Sequence, residues 1–189
     1  MHRLGERGVS LVDMMVGMTV MVIIMAGAVP QLRDVTGTMK LGTGLRDVER
    51  ELQTARLKAV TSNRPMRVRF NCPANGQFRM VELIGSPTTP AGADSASDRC
   101  SESTYPSPPA DDNPLSRPNH DGPVRYLDPS VSFGSVTTIE FWPDGSAHVN
   151  TGVNPWPPIG GTGTSITLKR GTAVRTITVN GLGKIQLQQ

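Results

Sequence analysis

The chain is poor in the residue types that carry most chemistry. Its 189 residues hold two cysteines, three histidines, four Phe, two Trp and two Tyr, and its formal net charge is only +3. Cys72 and Cys100 have no nearby Cys or His quartet, which argues against a zinc centre. His2, His120 and His148 have no serine or cysteine nucleophile marked by context, so no hydrolytic triad is legible. No glycine-rich phosphate-binding loop occurs, and so small a charge excess does not by itself point to nucleic acid. The chain is not expected to be an enzyme, and no cofactor is expected. Asp111-Asp112-Asn113 offers oxygen ligands for calcium, but without a spaced ligand loop it also reads as a solvated loop.

What the sequence does have begins at Gly8. From Val9 to Val29 there are 21 residues without Lys, Arg or Glu. As a helix they cover about 32 Å, close to the hydrocarbon thickness of a bilayer. A secretory signal would end in a small-residue cleavage site, whereas this run ends Ala28-Val29-Pro30-Gln31-Leu32-Arg33. The single carboxylate inside the run is Asp13. On a spanning helix it costs about 2.5 to 3.5 kcal/mol, so a partner or a task is expected for it.

The block Gly8-Val9-Ser10-Leu11-Val12-Asp13-Met14-Met15-Val16 resembles the class III signal of type IV pilins and type II secretion pseudopilins. The resemblance implies cleavage between Gly8 and Val9 by a prepilin peptidase, methylation of the new Val9 amine, and retention of the apolar helix. It gives Asp13 the role of pairing with the terminal amine of a neighbouring subunit, although the family usually has Glu there. It also gives Pro30 the role of a helix kink; the alternative is a helix that ends at the membrane surface. The leader Met1 to Gly8 has Arg3 and Arg7 against Glu6, which keeps it on the cytoplasmic side by the positive-inside rule. Its loss removes two cations and one anion, taking the net charge from +3 to +2. The implied location is the bacterial inner membrane, with a single pass and the carboxy-terminal part in the periplasm.

Beyond the run, Leu45, Val48, Leu52, Ala55 and Ala59 recur at spacings of three and four, with Arg46, Asp47, Glu49, Arg50, Glu51, Arg56 and Lys58 between them. This is an amphipathic helix with a solvated charged face, and its stripe is expected to pack on a sheet. Gly37, Gly42 and Gly44 predict a bend or loosened turn before it. After Asn63-Arg64-Pro65 the period becomes two. Met66, Val68 and Phe70 alternate with Arg67 and Arg69, and Phe78 to Ile84 follows the Asn75-Gly76 turn. Residues 85–123 hold eight of the sixteen prolines and read as an irregular excursion rather than core. Strands return at Thr137–Phe141, Ser165–Arg170, Ala173–Val179 and Lys184–Leu187, with a strand position for His148. Trp142 and Trp156 read as core or loop anchors. The fold class is α+β, pilin-like: a long amino-terminal helix on a mostly antiparallel sheet. The organisation is leader 1–8, membrane helix 9–29, amphipathic continuation 30–63 and a β-rich periplasmic domain 64–189.

Leu52-Gln53-Thr54-Ala55-Arg56, the stretch Asn63 to Val68, Phe141-Trp142-Pro143-Asp144-Gly145 and the ending Ile177 to Ile185 resemble the GspH/FimT family of minor pseudopilins and pilins. The resemblance implies a subunit of a type II secretion pseudopilus or type IV pilus, with an initiating or tip role. Its implied partners are the prepilin peptidase, other pilins or pseudopilins through the amino-terminal helix, an inner-membrane assembly platform, and membrane lipid. A periplasmic location permits Cys72 and Cys100 to pair, closing the base of the excursion; two free buried thiols are the alternative. Some members of the family bind DNA during uptake, and Lys169, Arg170, Arg175 and Lys184 lie in a carboxy-terminal stretch without acids. That stretch lacks aromatic stacking groups. Pilus-tip adhesion or substrate binding through residues 85–123 is a further alternative.

Overall fold

Ser10 starts the first element. Its hydroxyl accepts from the Val12 N–H at 3.3 Å and its carbonyl from the Met14 N–H at 3.2 Å, the pattern of a helix amino-terminal cap. The helix α1 spans Leu11–Ser62. It stops at Asn63, which takes a left-handed φ of 53°, while the Arg64 N–H donates to the Ala59 carbonyl at 3.3 Å. Pro65 follows, so both the closing motif and the residue after it forbid another turn. The computed structural model describes residues 10–84, 94, 97–109, 120–152 and 155–188, without the side chains of 28–34 and 97.

The chain divides into two units, Met1–Met39 and Lys40–Gln189. In the first, the described side chains of the apolar stretch end at Gly27 and are exposed. Among the described residues no helix is long and apolar enough to cross a membrane. The run expected to span from 9 to 29 is described only in part, and the kink expected at Pro30 lies outside the described side chains. The turn expected to loosen at Gly37, Gly42 and Gly44 is not found, because all three positions are helical. For Gly44 the reason is close approach: a Cβ there would meet Leu127 Cδ2 at 3.2 Å and Leu168 Cδ2 at 3.5 Å. The missing side chain lets the sheet side chains reach the backbone, and that contact outweighs glycine's poor propensity of about 1 kcal/mol.

In the second unit two antiparallel sheets cover the apolar stripe of α1. One has the order β3-β2-β1-β5-β6 and the other β4-β7-β8-β9. The strands are β1 Met66–Phe70, β2 Gln77–Glu82, β3 Arg125–Tyr126, β4 Ser132–Phe133, β5 Ile139–Phe141, β6 Ala147–Val149, β7 Thr164–Arg170, β8 Ala173–Val179 and β9 Ile185–Gln188. β3 and β4 are too short to show an alternating pattern and are not legible in the sequence. The register puts Met66 opposite Glu82, Val68 opposite Met80 and Phe70 opposite Phe78, so period two sets one face of the sheet toward the helix. Leu41, Leu45, Val48, Leu52, Ala55 and Ala59 meet Met66, Val68, Phe78, Met80, Ile139, Phe141, Ile166, Leu168, Ile177 and Val179 in one core. Phe133 stands edge-on to Phe78 at 5.9 Å and to Phe70 at 5.3 Å.

The excursion is not simply outside the core. Cys72 and Cys100 are joined by a disulfide with Cα atoms 5.6 Å apart. Arg99, Cys100 and Asp121 are buried against the face of β1 and β2 that looks away from α1, and β2 is buried at Phe78 to Glu82 on both faces. Composition misses this because the covering side chains are charged.

Candidate functional site

Three regions have chemistry worth examining. The first is the start of α1. Leu11, Val12, Met14, Met15, Val16, Met18, Val20, Met21, Val22, Ile23, Ile24 and Met25 are all exposed, with Ile23 at 72%. Apolar residues on every face of a helix suit an apolar medium or other helices rather than one side of a core. Asp13 lies in the first turn, where a carboxylate also complements the positive end of the helix dipole. Gly8 and Val9 lie outside the described residues, as do His2 and Asp111-Asp112-Asn113.

The second region joins helix to sheets through Arg56. Its Nε donates to the Gly145 carbonyl at 3.1 Å and its Nη2 to the Leu182 carbonyl at 2.9 Å. One guanidinium thus ties the turn after Phe141 to the turn before β9. Gly183 makes that possible. It has φ +69°, and a Cβ there would sit 2.4 Å from the Gly145 carbonyl oxygen and 2.6 Å from Arg56 Nε. The glycine that precedes Lys184 therefore answers to Arg56, a residue that reads in the sequence as part of a solvated face. Glu51 corrects the same reading. It is buried, accepts from the Met80 N–H at 3.3 Å and lies 3.5 Å from Arg125 Nε. Burial pushes its carboxyl up, while Arg125 opposes the shift.

The third region is the outward face of the five-stranded sheet, where the polar positions of the alternation include buried charges. Arg67 donates from Nε to Glu140 at 2.9 Å, forms a second contact from Nη2 to the same carboxylate, and lies over the Trp156 ring at 4.2 Å. His148 stacks on Trp142 with centroids 4.2 Å apart, and its Nδ1 lies 2.7 Å from the Trp156 carbonyl. Arg99 pairs with Asp121 through both nitrogens, donates to the Glu82 carbonyl at 2.7 Å and lies over Tyr105 at 4.4 Å. Arg79 donates to the Gly122 carbonyl at 2.6 Å and lies 3.8 Å from Asp121. On the opposite face, at the edge near the end of α1, His120 approaches Glu82 at 3.1 Å and Arg64 does so at 3.2 Å. Burial, and then Arg99, pull the Arg79 pKa down, although Asp121 opposes both. In the sequence only Arg67 and Arg69 stand at period two, and Arg79 and Arg99 lie outside that run. Only their partners, 17 to 73 residues away, show that Arg67, Arg79 and Arg99 are interior.

The four carboxy-terminal cations do not form one patch. Lys169 and Arg170 of β7 lie near the β7–β8 turn, with Arg175 opposite Leu168, whereas Lys184 lies across from Asn180 at the other end of β8. Five residues of strand separate Arg175 from that level, about 16 Å. Arg170 also donates to Ser130 Oγ at 3.3 Å. No group of three or more His, Cys, Asp or Glu side chains that could hold a metal ion is found among the described residues.

A family model described as type II transport protein GspH matches residues 45–183. Among solved structures, the type IV minor pilin FimU of Pseudomonas aeruginosa PAO1 is similar in two crystal forms. One has 13% identity and a TM-score of 0.48, covering 82% of this chain and 92% of that one. The other has 12% identity and a TM-score of 0.45, covering 79% and 93%. No curated protein matches the chain. The matched residues run from the buried stripe of α1 through both sheets to Gly183, so the chain belongs to the GspH family and is a minor pilin or pseudopilin of the type II secretion or type IV pilus class.

Proposed function

We propose that this chain is a filament subunit processed by prepilin peptidase, which cuts between Gly8 and Val9 and methylates the Val9 amine. The helix from Val9 then anchors the subunit in the inner membrane, with the unit from Lys40 onward in the periplasm, until the assembly platform moves it into a pseudopilus or pilus. The observation that carries this reading is the start of α1, exposed and apolar on all sides with one carboxylate, Asp13, in its first turn. A surface of this kind needs lipid or neighbouring helices around it. Asp13 would pair with the amine of an adjacent subunit, a charge pair worth most where water is excluded. The sheets and the buried charges behind them make the rest of the chain a rigid head, suited to contact rather than to turnover.

The test is co-expression of the full chain with a prepilin peptidase and an intact-mass measurement of the membrane product. Loss of Met1 to Gly8 is the expected result, and an added methyl would show that Asp13 serves where the family has Glu. An uncut product would leave an ordinary single-span anchor and remove the filament reading.

A further inference from the structure

The four-stranded sheet ends at β9, and among the described residues no backbone group pairs with its outer edge. The register says which groups that edge offers. The Asn180 N–H donates to the Lys184 carbonyl at 3.1 Å, which makes 180 and 184 a hydrogen-bonded pair. Bonded and non-bonded pairs alternate in an antiparallel ladder, so Thr178–Gln186 and Thr176–Gln188 are bonded too. The N–H and C=O groups of Ile185 and Leu187 therefore point away from β8. Other edges of the domain are blunted. β6 is covered by the segment after Trp156, with the Val149 N–H on the Pro157 carbonyl at 3.2 Å and the Ile159 N–H on the Ala147 carbonyl at 2.9 Å. β3 and β4 are two residues each. Short or covered edges do not template another strand; β9 is neither.

Beside that edge lies a groove of about 470 Å³ between α1 and the start of β9. Its apolar wall is Leu57, Val60 and Ile185, with Leu57 64% and Val60 49% exposed. Ile177 and Val179 of β8 are buried, while Ile185 and Leu187 of β9 are only partly so. The sheet thus stops one strand short of covering this side of the helix. The groove lining also carries two cations, Arg56 and Lys184, and no carboxylate. Among the described residues neither cation forms an ion pair.

We propose that β9 and this groove accept an extended segment of a partner subunit as an added strand. Its alternate side chains are apolar and rest on Leu57 and Val60, and a carboxylate near its end faces Lys184 and Arg56. Backbone bonds to Ile185 and Leu187 supply affinity, and the groove and its cations supply selectivity. The inference rests on the reading of the chain as a filament subunit only for the identity of the partner. Its test does not depend on cleavage or assembly.

The full chain, isotopically labelled in phospholipid nanodiscs, would be titrated with three blocked octapeptides that alternate Val and Thr. One carries a Glu near its end, one a Lys in that place, and one the Glu with alternate backbone amides N-methylated. The Glu peptide is expected to shift the amides of Ile185 and Leu187 and the methyl groups of Leu57 and Val60. The Lys peptide should bind about tenfold more weakly, through like-charge repulsion, and the N-methylated one should not bind. Leu187→Pro removes an outward N–H and no bond to β8, so it should abolish the shifts with the thermal midpoint unchanged. Val60→Glu, at an exposed helix position, should weaken the Glu peptide and spare the fold. Equal binding of all three peptides, shifts confined to other residues, or undiminished binding to both variants would overturn the proposal. So would a single-stranded oligonucleotide that moves the Ile185 and Leu187 amides when the peptides do not.

Discussion

The two units of the chain cover their apolar surface in opposite ways, though α1 contributes to both. Before Lys40 the apolar residues take every side of the helix and are exposed from Leu11 to Met25. After it the stripe Leu41, Leu45, Val48, Leu52, Ala55 and Ala59 keeps to spacings of three and four and is buried. A stripe can be covered by a sheet of its own chain, whereas a helix that is apolar all round needs other molecules. The same contrast extends to charge. The second unit buries Arg67, Arg79, Arg99, Asp121 and Glu140 and supplies each with partners from its own sequence, while among the described residues Asp13 in the first forms no ion pair.

Substitutions in the self-contained unit should change its stability, and those in the other should not. The largest effect is expected at Asp121. Asp121→Ala leaves Arg99 and Arg79 buried without their carboxylate and should cost about 3 to 5 kcal/mol in denaturant unfolding of the full chain. Combining Arg99→Met with Asp121→Leu should recover only part of that loss, because it removes one unpaired buried charge and leaves Arg79 buried without its carboxylate. Replacing Cys72 and Cys100 by Ser opens a cross-link of sequence separation 28 and should cost about 3.5 kcal/mol on the loop-entropy model, read from the same unfolding curves. Leu52→Ala removes a fully buried side chain and should cost about 3 kcal/mol. Val16→Ala, on the same helix, should leave the midpoint where it was; equal losses at 16 and 52 would erase the contrast.

The smallest effects are expected with pH, and they have two signs. Burial raises the Glu51 carboxyl, so the folded chain holds that proton more tightly than the unfolded one. The resulting stabilisation is full below the unfolded value near 4.5 and is lost as pH rises through the folded-state value. Asp128 is held down at about 2 by the Ser130 hydroxyl and amide and by Lys40. Its contribution is present above the ordinary 3.8 and is lost as pH falls toward 2. Melting profiles of Glu51→Gln and Asp128→Asn should each lose the corresponding limb.

Legibility in the sequence followed the same division. The helix stripe, the strands from Met66, Ser165 and Ala173, and the turns at Asn75-Gly76 and Gly171-Thr172 could be read because period and punctuation are local. The role of Gly183 could not, since the side chain it accommodates, Arg56, lies far away in sequence. Nor could the interior position of Arg79 and Arg99, because an arginine, whether between Phe78 and Met80 or after Asp98 in a polar stretch, looks solvated until Asp121 is brought to it. Residues 85–123 look like pure loop because they lack large apolar side chains, yet their described part covers a sheet face with ion pairs and one disulfide. Composition measures the means of burial, not the fact of it.

Assembly into a filament requires the amino-terminal helix to be covered by helices of like subunits. A photoreactive residue placed at Met18 of the full chain, co-expressed with a prepilin peptidase and the other pilin-like subunits of its host, tests this directly. The predicted result is a cross-link to the amino-terminal helix of another subunit, weakened by Asp13→Ala. Cross-links to lipid alone, unchanged by that substitution, would contradict it.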